Sequence, residues 1–193
     1  MNSKREKRNQ TIGYFGAFIA LGMGMAVLGP SLTRLAENTG SSISQISILF
    51  TASSGGYFLG SVLGGRLYDR YAGHPILAFI LGVMIIGFAL IPFMPLLWIL
   101  AAVLFFLGAF QGILDVGCNT LLIWVHRRDV SPFMNALHFF FGVGTFIAPI
   151  ILAQTALLSG DIKLGYILMA LMIIPVLIWI MRLRSPSAPN QDE

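Results

Sequence analysis

Residues 71–114 read YAGHPILAFILGVMIIGFALIPFMPLLWILAAVLFFLGAFQGIL and contain no Asp, Glu, Lys or Arg. A membrane-spanning helix needs about 20 mostly apolar residues, so this stretch is long enough for two of them. Pro92 and Pro95 divide it, because proline interrupts helix hydrogen bonding and a helix tends to end at the residue before it. The stretch therefore predicts one span over residues 74–91 and another over residues 96–125.

The composition of the whole chain agrees with a membrane protein. Of its 193 residues, 56% are hydrophobic and 10% are charged, whereas a soluble domain carries about 25% charged residues. A soluble globular domain and a disordered chain are both excluded on these figures. The single cysteine, Cys118, excludes an internal disulfide and a Cys-based metal cluster.

The same pattern over the rest of the chain predicts an all-α membrane protein with six transmembrane helices in one bundle. The expected spans are residues 12–34, 43–65, 74–91, 96–125, 132–158 and 164–181. They form a transmembrane bundle over residues 12–184. A basic cytoplasmic segment, residues 1–11, precedes it, and a disordered cytoplasmic tail, residues 185–193, follows.

The basic residues indicate the orientation of these spans. Loops that stay in the cytoplasm carry an excess of Lys and Arg. With the amino terminus inside, ten basic residues fall on the inner side: Lys4, Arg5, Lys7, Arg8, Arg66, Arg70, Arg127, Arg128, Arg182 and Arg184. Only Arg34 and Lys163 fall outside. We therefore expect a multi-pass protein of the inner or plasma membrane with both termini in the cytoplasm, and no nucleic-acid partner.

Small residues recur every four positions on several of the expected spans, among them Gly16, Ala20 and Gly24 on the first. Gly56, Gly60 and Gly64 lie on the second span, and Gly108 and Gly112 lie on the fourth. Such ladders let helix backbones approach closely in a bilayer. We expect them to pack within one bundle, with packing against a second bundle as the alternative.

The loop after the second span, residues 65–74, reads GRLYDRYAGH. It resembles the G-x-x-x-D-R-x-G-R/K-R/K loop of the major facilitator superfamily. Gly65, Asp69 and Arg70 match in place, whereas Ala72 replaces the second glycine. The resemblance implies a carrier with alternating access. In it, Gly65, Asp69 and Arg70 form a latch that closes the cytoplasmic side in one state.

The charges of this loop suit such a latch. Asp69 can accept hydrogen bonds from Arg70 or from the amino end of a helix in an opposing bundle. The alternative is an ordinary cytoplasmic loop with a solvated ion pair.

A polar stripe lies on the fourth span. Gln111, Asp115 and Asn119 are spaced by four and share one helix face. Asp115 precedes Arg127 by twelve residues, which places it roughly 18 Å from the cytoplasmic end, near the midplane. An ionisable side chain there is costly and marks a candidate functional site, where a carboxyl can take up and release a proton. The alternative is a protonated Asp115 that only bonds a neighbouring helix.

The fifth span carries a second polar group near its inner end. Asn135 and His138 are followed by the aromatic ring of Phe139. Amide and imidazole groups can bond the hydroxyls of a polyol while a ring stacks on its apolar face. We therefore expect a substrate site for a small polar solute that combines these residues with the stripe of the fourth span. The alternative for His138 is a purely structural role.

Two segments narrow the resemblance. Residues 112–119 are similar to the fourth helix of the fucose–proton symporter group, in which an acidic residue precedes an asparagine by four. Asp115 and Asn119 match that pair, and the resemblance implies that Asp115 is the proton site. Residues 135–144 look like the fifth helix of sodium-dependent glucose transporter-like proteins. No acidic residue occurs in residues 12–32, and this departure from the fucose symporter pattern bears on coupling. The favoured coupling ion is the proton, through Asp115, and sodium is possible.

The resemblance covers the amino-terminal half of a twelve-span carrier. Such carriers are built from two parallel six-helix repeats with the substrate between them. We expect a half-size transporter that pairs with a second copy as a parallel homodimer. A complementary six-helix half, a truncated fragment and a non-transporting assembly or regulatory subunit are the alternatives. The chain has neither a G-x-S-G serine nor an H-E-x-x-H pair, so we expect no enzyme, metal or other cofactor.

Overall fold

The fold is built from helices alone in the computed structural model, which describes residues 4–188; no strand occurs in that range. In chain order the helices are α1 (Lys4–Ala26), α2 (Leu28–Thr39), α3 (Ile43–Ile46), α4 (Ile48–Arg70), α5 (Gly73–Leu90), α6 (Leu97–His126), α7 (Ser131–Ser159) and α8 (Lys163–Met181). Five segments are long and apolar enough to cross a membrane, and α1 with α2 makes a sixth if the bent pair is one span. The predicted all-helical membrane fold is confirmed.

The first span is bent and begins earlier than the sequence suggested. The axes of α1 and α2 differ by 48° across Val27, where Gly29 and Pro30 follow in the first turn of α2. Proline has no N–H to continue the hydrogen-bond ladder, so a bend here is expected. The helix also starts at Lys4, because long straight-chain basic residues are good helix formers. The basic segment expected at residues 1–11 is therefore largely helical; its first three residues lie outside the described range.

The first turns of α1 contact the end of α8 and the segment after it at one end of the bundle. The Gln10 amide donates to the carbonyl of Arg184 at 2.8 Å, and the Trp179 indole N–H donates to the carbonyl of Asn9 at 3.0 Å. Residues 185–188 of the expected tail are described and non-helical. Ser185 accepts a hydrogen bond from the main-chain N–H of His74 at 2.8 Å. Residues 189–193 of that tail lie outside the described residues.

The spans associate as three helix pairs, and glycine makes two of these pairs close. Along α4 and α6, a Cβ added at Gly56 or Gly60 would run into the main chain of Phe105 or Ala109. Along α1 and α7, Gly22 and Gly144 are equally tight against the facing backbone. The third pair is α5 with α8. The glycine ladders thus let backbones touch inside one bundle, where lipid provides no hydrophobic force between helices.

The pairing has an internal regularity. It joins the first span to the fifth, the second to the fourth and the third to the sixth. If the first, second and third spans are exchanged with the fourth, fifth and sixth respectively, the same three pairs result. This is expected for a bundle built from two three-helix repeats. α1 packs on both α6 and α7 and so lies between them. Side chains of α1, α4 and α6 meet in a common region.

Candidate functional site

Asp115 of α6 is held by two hydrogen-bond donors. The Tyr57 hydroxyl on α4 donates to Oδ2 of Asp115 at 2.5 Å. The Asn119 amide donates to Oδ1 at 3.0 Å and to the main-chain carbonyl of Asp115 at 2.8 Å. The spacing of four places Asn119 one turn from Asp115 on the same face. All three side chains are half-buried, so this cluster combines a fixed carboxyl with access from one side.

The close approach of α4 and α6 accounts for the position of Tyr57. Gly112 lies against the main-chain carbonyl of Tyr57, and a larger residue at 112 would force the two helices apart. The hydroxyl of Tyr57 then reaches the carboxyl one turn along α6. The sequence analysis missed Tyr57, because a tyrosine on an apolar span gives no signal until its neighbouring helix is known. Its position within the glycine ladder of α4 was the only available indication.

Gln111 lies one turn from Asp115 in a more enclosed position. Its side chain is 3% exposed, and its amide nitrogen has no hydrogen-bond partner among residues 4–188. It packs against Gly24, where a Cβ would collide with that nitrogen. Gln111 also lines a cavity of about 80 Å³ that is bounded in part by Ser53 and Ser54. An unpaired buried amide beside two hydroxyls is suited to bind a further polar group.

The predicted residues of α7 lie apart from this cluster. Asn135, His138 and Phe139 share one exposed face, and Phe139 is 67% exposed. The His138 ring meets Phe18 of α1 edge-on at 5.9 Å between ring centres. In the described part of the chain the side chains of Asn135 and His138 make no hydrogen bond to another residue. Because α1 lies between α6 and α7, His138 and Asn119 do not meet, and the assignment of Asn135, His138 and Phe139 to a substrate site stays a prediction.

The predicted latch residues occupy the end of α4. Asp69 and Arg70 are exposed, and neither has an ion-pair partner within residues 4–188. A Cβ at Gly65 would meet nothing within 4 Å. These three positions are therefore available to an external contact, and the latch role stays a prediction.

His74 is structural, although in the sequence it occupies the position of a basic pair in the loop. It is buried, and its Nε2 pairs with the hydroxyl of Tyr14 at 2.8 Å. Its Nδ1 lies 3.2 Å from the carbonyl of Leu183. His74 thus joins α1, α5 and the segment after α8. Over the described range no group of three or more His, Cys, Asp or Glu side chains is placed to hold a metal ion.

Comparison with known proteins places these features in a family. A sequence profile described as Major Facilitator Superfamily matches residues 12–193. The chain belongs to the major facilitator superfamily. The resemblance seen in residues 65–74 and 112–119 is therefore confirmed at the level of the superfamily, and membership together with the apolar helices indicates a multi-pass membrane protein.

The relatives also bear out the narrower resemblance to sugar-transporter-like proteins. The chain is 38% identical over 135 residues to sodium-dependent glucose transporter 1 of Danio rerio, covering 70% of this chain and 23% of that protein. It is 34% identical over 193 residues to the protein of the same name from Xenopus laevis, with coverage of 88% and 39%. It is 34% identical over 149 residues to major facilitator superfamily domain-containing protein 4A of Mus musculus, with coverage of 76% and 29%. The chain thus spans well under half the length of these relatives.

Proposed function

We propose that this chain is one six-helix half of a secondary carrier for a small polar solute, with a sugar favoured, and that a second parallel copy supplies the other half. The observation that carries the proposal is the Tyr57–Asp115–Asn119 cluster. A carboxyl on a membrane-spanning helix is costly unless it serves a site or a polar partner. Here it is oriented by donors from two helices and is still half-accessible.

The distribution of polar side chains supports a solute face on one side of the bundle. Residues 76–90 of α5 and 164–181 of α8 contain no Asp, Glu, Asn, Gln or His. The candidate residues instead lie on α4, α6 and α7, with α1 between the last two. In carriers built from two bundles, the substrate binds between the bundles. We therefore assign the surface of α1, α4, α6 and α7 to the partner half.

The chemistry of this surface fits a hydroxyl-rich solute. The carboxyl of Asp115 and the amide of Asn119 offer both donors and acceptors, and the exposed ring of Phe139 offers an apolar stacking surface. The sugar assignment is further supported by relatives named as sodium-dependent glucose transporters. Asp115 is the only Asp, Glu, Lys or Arg between residues 71 and 126. For that reason we assign proton coupling to it, with sodium as the other candidate ion.

The topology permits a homodimer. An even number of spans gives every copy the same orientation, so two copies can pair about an axis along the membrane normal. Both copies then present their Asp115 surfaces to one central cavity. The exposed Asp69 and Arg70 of each copy are also free to contact the helix ends of the other. Those contacts would form and break as the cavity opens to one side and then to the other.

Cysteine crosslinking with a matched control tests the homodimer. Gly142 lies on the face of α7 that carries Asn135 and His138, and a Cβ there meets nothing within 4 Å. Gly82 of α5 is equally open but lies on the apolar side. In a Cys118→Ser background, a bismaleimide should give dimers with Gly142→Cys and only monomers with Gly82→Cys. The Cys118→Ser protein, reconstituted into liposomes with no other protein, should take up sugar.

The outcomes separate the alternatives. Monomers with both variants, together with liposomes that show no uptake, would rule out the homodimer. Uptake that appears only when a separate six-helix half is supplied would indicate a heterodimer. Dimers without uptake of any tested solute would favour a non-transporting assembly or regulatory subunit.

A further inference from the structure

A groove of about 440 Å³ runs along α1 at the basic end of the bundle. Lys4, Lys7 and Arg8 line its end nearest the start of α1, here called the mouth, and Ile12, Phe15 and Phe133 are among the other lining residues. The residues contributed by α1 recur at spacings of three and four, so they form one stripe along a single face. The stripe changes from cationic to apolar within about 16 Å of helix.

The walls of the groove are fixed by contacts between α1 and the turn that joins α6 to α7. The Thr11 hydroxyl lies 2.7 Å from Nε2 of His126. The His126 ring stacks on Phe133 with ring centres 3.5 Å apart. Phe15 in turn stacks on Phe140 at 4.8 Å between ring centres. The groove is therefore built from rigid, packed elements rather than from a loop.

The depth of the groove matches the boundary between lipid headgroups and hydrocarbon. Trp179 lies on the neighbouring α8 and donates its indole N–H to the carbonyl of Asn9. Tryptophan is enriched at this level of a membrane because its ring is apolar and its N–H is polar. The cations of the mouth thus lie at headgroup level, and Ile12 and Phe15 lie at the level of the upper acyl chain.

The charge of the groove selects the kind of lipid. None of the described residues that line it is an Asp or Glu. We propose that this groove binds an anionic phospholipid, with its phosphate among Lys4, Lys7 and Arg8 and one acyl chain along Ile12, Phe15 and Phe133. Basic segments next to a spanning helix attract anionic lipids. The apolar walls favour a lipid over a soluble anion, because a free phosphate would leave them uncovered.

The groove lies on helices that also contribute to the proposed partner surface, but none of the residues that line it belongs to the proposed solute site. Phe15 of the groove stacks on Phe140, whereas His138 meets Phe18. Lipid binding in the groove can therefore be tested without a transport assay.

Native mass spectrometry of the purified chain can test the proposal with phosphatidylglycerol and phosphatidylcholine as probes. The wild type should retain phosphatidylglycerol at least tenfold more tightly. The groove variant Lys4→Gln/Lys7→Gln/Arg8→Gln should lose that preference, because each cation removed should weaken the binding of phosphatidylglycerol about fivefold. The control Arg5→Gln/Arg182→Gln/Arg184→Gln removes three exposed charges from the same end without touching the groove. It should keep the preference.

Each other result counts against the proposal. Equal retention of the two lipids by the wild type would overturn it, as would equal losses in both triple variants, which would indicate a diffuse surface charge. Displacement of phosphatidylglycerol by millimolar inorganic phosphate would identify an anion site instead of a lipid site. If the groove triple variant does not fold, Lys7→Gln/Arg8→Gln replaces it, with Arg182→Gln/Arg184→Gln as its control.

Discussion

The hydroxyl of Tyr57 donates a 2.5 Å hydrogen bond to Oδ2 of Asp115, and this bond joins α4 to α6 within the spans. The bond depends on the glycine contacts that bring the two helices together, since Gly112 lies against the carbonyl of Tyr57 itself. Helix packing and the candidate site are thus one structural unit. A substitution that alters the packing of α4 on α6 should therefore alter the candidate site, and a substitution in the site should alter the packing.

Tyr57→Phe removes this donor and keeps the ring. An intramolecular hydrogen bond contributes about 0.5 to 1.5 kcal/mol net, so the variant should melt at a lower temperature in detergent and take up less solute. Tyr71→Phe is the control, because Tyr71 is exposed at the end of α4. Equal melting temperatures for both variants would show that the Tyr57–Asp115 bond does not stabilise the bundle.

Asp115→Asn keeps the size of the side chain and removes the exchangeable proton. If Asp115 couples transport to the proton gradient, the variant should lose accumulation against a gradient while exchange of bound solute continues. Uptake and counterflow into liposomes, each with and without an imposed pH gradient, measure the two separately. Asp129→Asn, at the exposed turn before α7, serves as the control. Normal proton-driven accumulation in Asp115→Asn would remove Asp115 from the coupling role.

Gly56 and its neighbour Gly55 provide a matched test of the α4–α6 contact. A Cβ at Gly56 would run into the main chain of Phe105, whereas one at Gly55 meets only a ring atom at 3.9 Å. Gly56→Ala should therefore destabilise the bundle by about 1 to 3 kcal/mol or more, since backbone cannot move aside as a side chain can. Gly55→Ala should be neutral or slightly stabilising, because alanine favours a helix. Denaturant titration in detergent measures both, and similar values would contradict the close packing.

The sequence predicted those features that depend on local chemistry. The break near residue 92 follows from Pro92 and Pro95 alone, and the structure has a short 3₁₀ turn at Ile91–Phe93. The stripe of Gln111, Asp115 and Asn119 follows from helix periodicity, and the structure does bring Asp115 and Asn119 into contact. The start of α1 at Lys4 was missed, because a charge pattern marks where a membrane begins and not where a helix does.

Features that depend on which helices pack together could not be predicted. Tyr57 lies fifty-eight positions from Asp115, and no periodicity connects them. The sequence analysis combined His138 with the stripe of the fourth span in one site, whereas in the structure α1 lies between α6 and α7. His74 stands where the loop motif has a basic residue, and its bond to Tyr14 shows a role inside the bundle.

The orientation of the bundle can be tested with two serine positions. Ser44 in α3 and Ser131 at the start of α7 are both exposed and lie at opposite ends of the bundle. If the end rich in basic residues faces the cytoplasm, Ser44→Cys should react with a membrane-impermeant maleimide in intact cells. Ser131→Cys should react only after the cells are permeabilised. Both variants need the Cys118→Ser background, and the reverse labelling pattern would invert the assigned topology.

Gly24 controls the position of Gln111 and allows a test of that residue without changing it. A methyl group at Gly24 would occupy the space of the Gln111 amide nitrogen, so Gly24→Ala should push the amide into the adjoining cavity of about 80 Å³. If the unpaired amide bonds the solute, apparent affinity should fall about tenfold, which corresponds to one lost hydrogen bond. Gly82→Ala, in open space on α5, should leave affinity unchanged. Gln111→Leu should reproduce the loss, and its failure to do so would mean that Gly24→Ala acts through helix packing alone.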